Sequence, residues 1–192
     1  MKPRDLLDLL LLAAIWGAAF LFTRVAVPAF GPVALSFVRV AGATVFLMPL
    51  LLMRGEAGVL RQRWRALLVL GLANSTLPFL FFSYAVYTLP AGLAAVFNAA
   101  TPLFTALIAW VWLDEALNRW RNLGLALGFA GVAGLALHKS LATPVAQGLT
   151  GWQLDVPAAL AIGASLLAAL LYGYAGNHAK RYLAGVPAMA MA

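Results

Sequence analysis

The chain has 192 residues, 64% of them hydrophobic and 10% charged, with a mean hydropathy of +0.93. That balance excludes a soluble domain and makes this an integral membrane chain. The net charge of +7 does not signal a nucleic-acid partner, because that would need basic residues gathered on one exposed face, and here they are dispersed.

Apolar runs of about 20 residues read as membrane spans, and they place helices near 6–27, 33–53, 66–87, 91–113, 120–138 and 156–177, with another run opening at about 184. A transmembrane β-barrel would alternate apolar and polar residues with a dyad period. Runs such as "ALLVLGLA" and "ALLYGYAG" do not alternate. The expected fold class is an all-α polytopic helix bundle.

Helix 1 opens with "MKPRDLLDLLLLAAIWGAAF", which has the outline of a signal peptide. Asp5 and Asp8 interrupt its basic region and the apolar run continues to Val27, so an uncleaved first helix is expected. Trp16, Phe20 and Arg24 fall on one face at i, i+4 and i+8. An arginine inside a span faces protein or water, or snorkels to the headgroups. The short connection "PAFGP" makes helices 1 and 2 a hairpin. On helix 2, Arg39 lies nearer mid-span, where snorkelling is harder and an internal hydrogen-bonded partner is expected.

The loop between helices 2 and 3 is longer and cationic. On helix 3, Asn74 and Pro78 stand at i and i+4, with Phe82 one turn further; "TLPAG" then closes a second hairpin. Helix 4 carries Asn98, Thr101, Pro102 and Thr105 as one stripe at i, i+3, i+4 and i+7. Pro102 removes the hydrogen bond to the Asn98 carbonyl and frees an acceptor on that face. Such a stripe either lines a cavity or makes a kink with interhelical hydrogen bonds.

Asp114 and Glu115 end helix 4, with Arg119 four residues beyond Glu115. They read as a latch between helices 4 and 5, with proton coupling as the alternative. Helix 5 carries Gly124, Gly128 and Gly131, a face of little bulk suited to close helix packing. The segment 138–157 is rich in Gly, Thr and Pro and reads as a linker.

The chemistry of an intramembrane enzyme is not in evidence. HExxH, a Gly-flanked serine elbow and paired intramembrane aspartates are all missing. Ser83 and Ser165 read as packing residues. There is no cysteine, and His138 and His178 lie at helix ends with no second ligand nearby. No metal and no cofactor are expected.

Ten of the thirteen Lys and Arg, namely Lys2, Arg4, Arg54, Arg61, Arg63, Arg65, Arg119, Arg121, Lys180 and Arg181, fall at the N-terminus or in alternate connections, against Lys139 alone on the opposite side. The positive-inside rule then puts the N-terminus in the cytoplasm.

Four stretches together resemble the EamA-domain family of the drug/metabolite transporter superfamily: "WGAAF" with Arg24, "ALSFVRVAGA" around Arg39, "LPAGLAAVFNAATPLFTALIAWVWLDE" across helix 4 and "GLALGFAGVAG" on helix 5. The resemblance implies a secondary transporter of ten helices in two inverted five-helix repeats, with substrate near the midplane. Residues 1–138 would then be the first repeat, 139–155 a linker, and 156–192 the start of a second, truncated repeat. The expected function is export or uptake of small metabolites, amino acids or drug-like compounds, across a bacterial inner membrane by alternating access. The alternative is a non-transporting helical scaffold or assembly subunit.

The cavity-lining residues expected are Trp16, Phe20, Arg24, Asn74, Pro78, Asn98, Thr101 and Pro102. Structural or coupling roles fall to Arg39, Asp114, Glu115, Gly124, Gly128 and Gly131. The expected partners are the lipid bilayer and a small-molecule substrate, with a homodimer left open.

Overall fold

The computed structural model describes residues 3–146 and 155–191. Among the described residues all regular structure is helical. The first stretch, Pro3–Met53, has helical backbone dihedrals except at Gly31 (φ 75°, ψ 161°). Sixteen residues of unbroken helix would span ~24 Å, yet Arg39 Nη1 donates to Thr23 Oγ1 at 3.1 Å. The chain therefore reverses at Gly31, in backbone territory that only glycine enters without strain. Pro32 also requires an extended residue before it. The two arms, α1 (3–30) and α2 (32–53), are the expected hairpin.

A Schellman turn ends α2: Gly55 (φ 70°) donates to Leu52 O at 3.0 Å and Glu56 to Leu51 O at 3.3 Å. Helix α3 (Ala57–Thr88) begins at once, so the long cationic loop expected before residue 66 is instead mostly helix. Arginine is a good helix former, and its charge bars residues 57–65 from the bilayer core without barring them from a helix. Within α3 a π-helical turn, Leu72–Thr76, precedes Pro78. The widened turn accommodates a residue with no N–H to give.

Helix α4 (Ala91–Leu113) follows the extended pair Leu89–Pro90. It breaks where Pro102 requires it: helix Ala91–Asn98, a turn at residues 99–100, then helix Thr101–Leu113. Asp114 closes it in the left-handed region (φ 54°), where short polar side chains are tolerated. Helix α5 (Arg119–Ala146) runs past its expected end at 138. Part of the expected linker is thus helical, and residues 147–154 lie outside the described residues. Helix α6 (Val156–Tyr182) is capped by Asp155, whose Oδ1 accepts from Ala158 N at 3.0 Å. A short α7 (Ala188–Met191) follows.

Five helical stretches among the described residues are long and apolar enough to cross a membrane, the first of them being the folded pair Asp5–Met53. Many buried positions are small, among them Ala94, Ala161, Ala168, Ala169 and Ala175, with Phe82, Val86 and Phe97 filling the space between, while Phe22, Phe37, Phe46 and Met53 are exposed. Small residues let helix backbones approach closely, which is what holds helices together in lipid.

Helix α6 is the centre of the bundle, packed against α3 and α4, and α1 packs on α3. At Gly173 a Cβ would come within 2.8 Å of Thr105 N, so α6 and α4 touch backbone to backbone. Asn177 Nδ2 bridges the same contact, donating to Thr105 O at 3.0 Å and Gly173 O at 2.8 Å.

The basic helix ends meet at one end of this bundle. Arg181 donates to Trp112 O at 2.9 Å, Arg63 to Tyr182 O at 3.4 Å, and Lys180 pairs with Glu115.

Helix α5 is peripheral. Its packed face is Leu125, Gly128, Phe129, Val132, Leu135 and Ala136, whereas Gly124 and Gly131 are exposed. Of the three glycines expected to form a packing face only Gly128 meets a neighbour, Leu103, whose side chain lies 2.7 Å from where a Cβ would be.

Candidate functional site

A cavity of about 290 Å³ opens among α1, α2, α3, α4 and α6. Helix α1 contributes Ile15, Trp16, Ala19 and Phe20; α2 contributes Arg39; α3 contributes Phe79 and Phe82; α4 contributes Asn98 and α6 Tyr172. Its walls are an aromatic chain: Phe20 meets Phe82 edge-on at 5.2 Å, Phe82 stacks with Tyr172 at 6.1 Å, and Trp16 lies 6.4 Å from Tyr172. The guanidinium of Arg39 sits 4.1 Å from the Phe79 ring centroid, within cation–π range. Mostly apolar walls with a few converging polar groups are the usual form of a small-molecule site.

Local structure explains the aim of these groups. The i, i+4 spacing puts Trp16 and Phe20 on one face of α1. The hairpin at Gly31 then brings Arg39 back beside them, with Thr23 fixing one guanidinium nitrogen. Asn98 is the last residue before the α4 break, and its Oδ1 accepts from Thr101 Oγ1 at 3.4 Å.

Trp16, Phe20 and Asn98 of the expected residues line this cavity, as does Arg39, for which a structural or coupling role was expected. The others lie elsewhere. Arg24 donates to the carbonyls of Val86, Tyr87 (2.9 Å) and Leu89 (3.4 Å), closing the C-terminus of α3; a cation suits that end of a helix. Asn74 is exposed and Pro78 fully buried.

Thr101, Pro102 and Thr105 line a separate groove of about 530 Å³ at the basic end, with Asn177, Lys180 and Arg121. The proline break splits the stripe on α4 between two spaces, because past it the second half-helix turns toward α6.

Glu115 pairs with Lys180 on α6 rather than with Arg119, so the latch joins the α4–α5 connection to α6. Ser83 and Ser165 are buried; Ser165 Oγ donates to Ala161 O at 3.0 Å, and Ser83 Oγ accepts from Ser36 Oγ at 3.3 Å.

Ile15, Ala19, Phe79 and Tyr172 were not anticipated, and Phe82 stood out only by its spacing on helix 3. The phenol of Tyr172, a polar tip inside "ALLYGYAG", was the available signal; its convergence with α1 and α3 depends on how α6 packs.

The family model for the EamA-like transporter family matches residues 6–137. The chain belongs to that family. Three relatives agree with it. An uncharacterised transporter of Bacillus subtilis, YvbV, is 30% identical over 132 residues, covering 69% of this chain and 43% of its own length. A protein of Streptantibioticus cattleyicolor named a probable terminal-alkyne amino-acid exporter is 30% identical over 132 residues, covering 67% and 43%. An uncharacterised inner membrane transporter of Escherichia coli K12, YedA, is 29% identical over 142 residues, covering 69% and 44%. This EamA-family chain thus spans less than half the length of the curated relatives it matches. No solved structure matches it. With its family and its apolar helices together, the chain is a multi-pass membrane protein of a transporter family.

Proposed function

We propose that this chain supplies the substrate cavity of a secondary transporter that moves small organic metabolites across the inner membrane by alternating access. The observation that carries the reading is the cavity itself, where five helices converge on aromatic walls, one amide, one phenol and one guanidinium. Membership of the EamA-like family and the relative named as an amino-acid exporter support a small organic cargo and outward movement. The basic end of the bundle, where Arg63, Arg181 and Lys180 gather, faces the cytoplasm under the positive-inside rule. Helices α1 to α5 form one repeat, and α6 opens the inverted one. Asn98 and Trp16 contact the cargo, and the paired Glu115 and Lys180 join α6 to the first repeat.

The test is efflux from cells producing the protein, loaded with a panel of labelled amino acids, organic acids and drug-like amines. Trp16→Ala and Asn98→Ala lower efflux of the transported compound while membrane expression holds. Efflux that falls only in proportion to lost protein would make the chain a scaffold rather than a carrier.

A further inference from the structure

We infer that the cavity takes a monoanion, a carboxylate on an apolar or aromatic body, with Arg39 as its anion-binding residue; this rests on the reading of the cavity as the substrate site. A guanidinium inside a membrane span is costly, and such a residue faces a water-filled cavity or a partner and marks a binding path. Arg39 is half-buried, and its neighbours are neutral: the Thr23 hydroxyl at 3.1 Å and the Phe79 ring at 4.1 Å. Its one recorded side-chain hydrogen bond uses one of five N–H donors.

The chain's own carboxylates are out of place to serve it. Asp5 and Asp8 lie in the first turns of α1, Glu56 before α3, Asp114 and Glu115 after α4, and Asp155 before α6. None lines the cavity.

The remaining polar groups there, Asn98 and Tyr172, add neutral donors and acceptors beside the cation. The cavity therefore presents one positive charge beside aromatic rings that no carboxylate of the chain balances. A carboxylate restores neutrality and meets the guanidinium fork with two parallel hydrogen bonds. An ammonium finds no carboxylate to pair with and is repelled by Arg39. The ring walls in turn favour an organic body over a small inorganic anion, which would leave them facing empty space.

Three probes of one shape and different charge test this on the purified 192-residue chain in detergent: 3-phenylpropanoate, 3-phenylpropan-1-ol and 3-phenylpropylamine, with Kd measured by calorimetry. A charge-assisted hydrogen bond is worth about 1.5–3 kcal/mol, roughly 10- to 100-fold in Kd. The acid should bind tighter than the alcohol by that factor, and the amine weakest. Arg39→Gln should bring the acid down to the alcohol's affinity. Arg39→Lys should recover part of the preference, and size-exclusion profiles matching the parent show that both variants are folded. Trp16→Ala should weaken all three probes alike.

Equal binding of acid and alcohol, or a preference for the amine, with Trp16→Ala still weakening both, overturns the charge assignment while the cavity reading stands. Probes that bind but ignore Trp16→Ala, or no binding of any probe, overturn the cavity reading and the assignment with it.

Discussion

Gly173 and Arg24 show how much of this bundle hangs on single side chains. A Cβ at Gly173 would meet Thr105 N at 2.8 Å and Phe104 C at 3.0 Å. Those are backbone atoms of a packed helix and cannot swing aside. Gly173→Val therefore lowers the yield of folded protein, with overpacking costing about 1–3 kcal/mol. Gly163→Val, on the same helix with open space around it, should be tolerated. Size-exclusion profiles and melting curves of the two variants make the comparison.

Arg24→Gln leaves the carbonyls of Val86, Tyr87 and Leu89 without their cationic donor. It should reduce thermal stability, by roughly 1.5–3 kcal/mol if a charged hydrogen bond is lost, with ligand affinity unchanged. Unaltered melting would show that Arg24 is held by the headgroups instead. The exposed Lys180–Glu115 pair (side chains 61% and 44% exposed) is screened by water and salt and contributes at most about 1 kcal/mol. At this scale the sequence pointed to costly residues without naming their partners. Arg24 announced itself as an intramembrane cation, but the carbonyls it reaches are more than sixty residues away in the chain.

Helix α5 shows what sequence periodicity reveals of an element and what it hides. Its three spaced glycines, Gly124, Gly128 and Gly131, suggested a continuous flat face, yet the packed side is turned toward Leu125, Phe129 and Val132. A larger side chain should thus be harmful at Gly128, where Leu103 is in the way, and tolerated at Gly131, where nothing lies within 4 Å. Membrane yields of Gly128→Leu and Gly131→Leu decide between the faces; equal losses at both would restore the glycine face.

The helix breaks were easier to read, because proline acts through its own chain. Pro102 implied a freed carbonyl at Asn98, and the structure breaks α4 directly after that residue. Pro78 implied a similar defect, met here by a π turn. The sequence did not reveal that the break would send Asn98 and Thr101 to different spaces. That outcome depends on the approach of α6, set by Gly173 and Asn177 through contacts made across the fold.

At the scale of the whole molecule, hydropathy and short Pro/Gly connections carried the all-α architecture and both hairpins. Of the nine residues that line the cavity, helical spacing had pointed to Trp16, Phe20 and Asn98, and not to Tyr172. The orientation proposed from the basic end predicts that reporter fusions after Arg63 act in the cytoplasm and fusions after Lys139 in the periplasm. Periplasmic activity after Arg63 would invert the protein.

The central claim is that the space beside Asn98 is an aqueous, cargo-accessible cavity and not a lipid-filled crease. The chain has no cysteine, so one introduced thiol reports one position. A thiol reacts as its thiolate, which forms in water and is suppressed in apolar surroundings. The measurement is the rate at which a small charged methanethiosulfonate modifies Asn98→Cys in membranes, compared with Phe46→Cys, a position 77% exposed on the apolar outer face of α2. The account predicts rapid modification at position 98, slowed by the transported compound, and none at position 46. Equal inertness at both, or reaction at 98 that the compound does not slow, would contradict it.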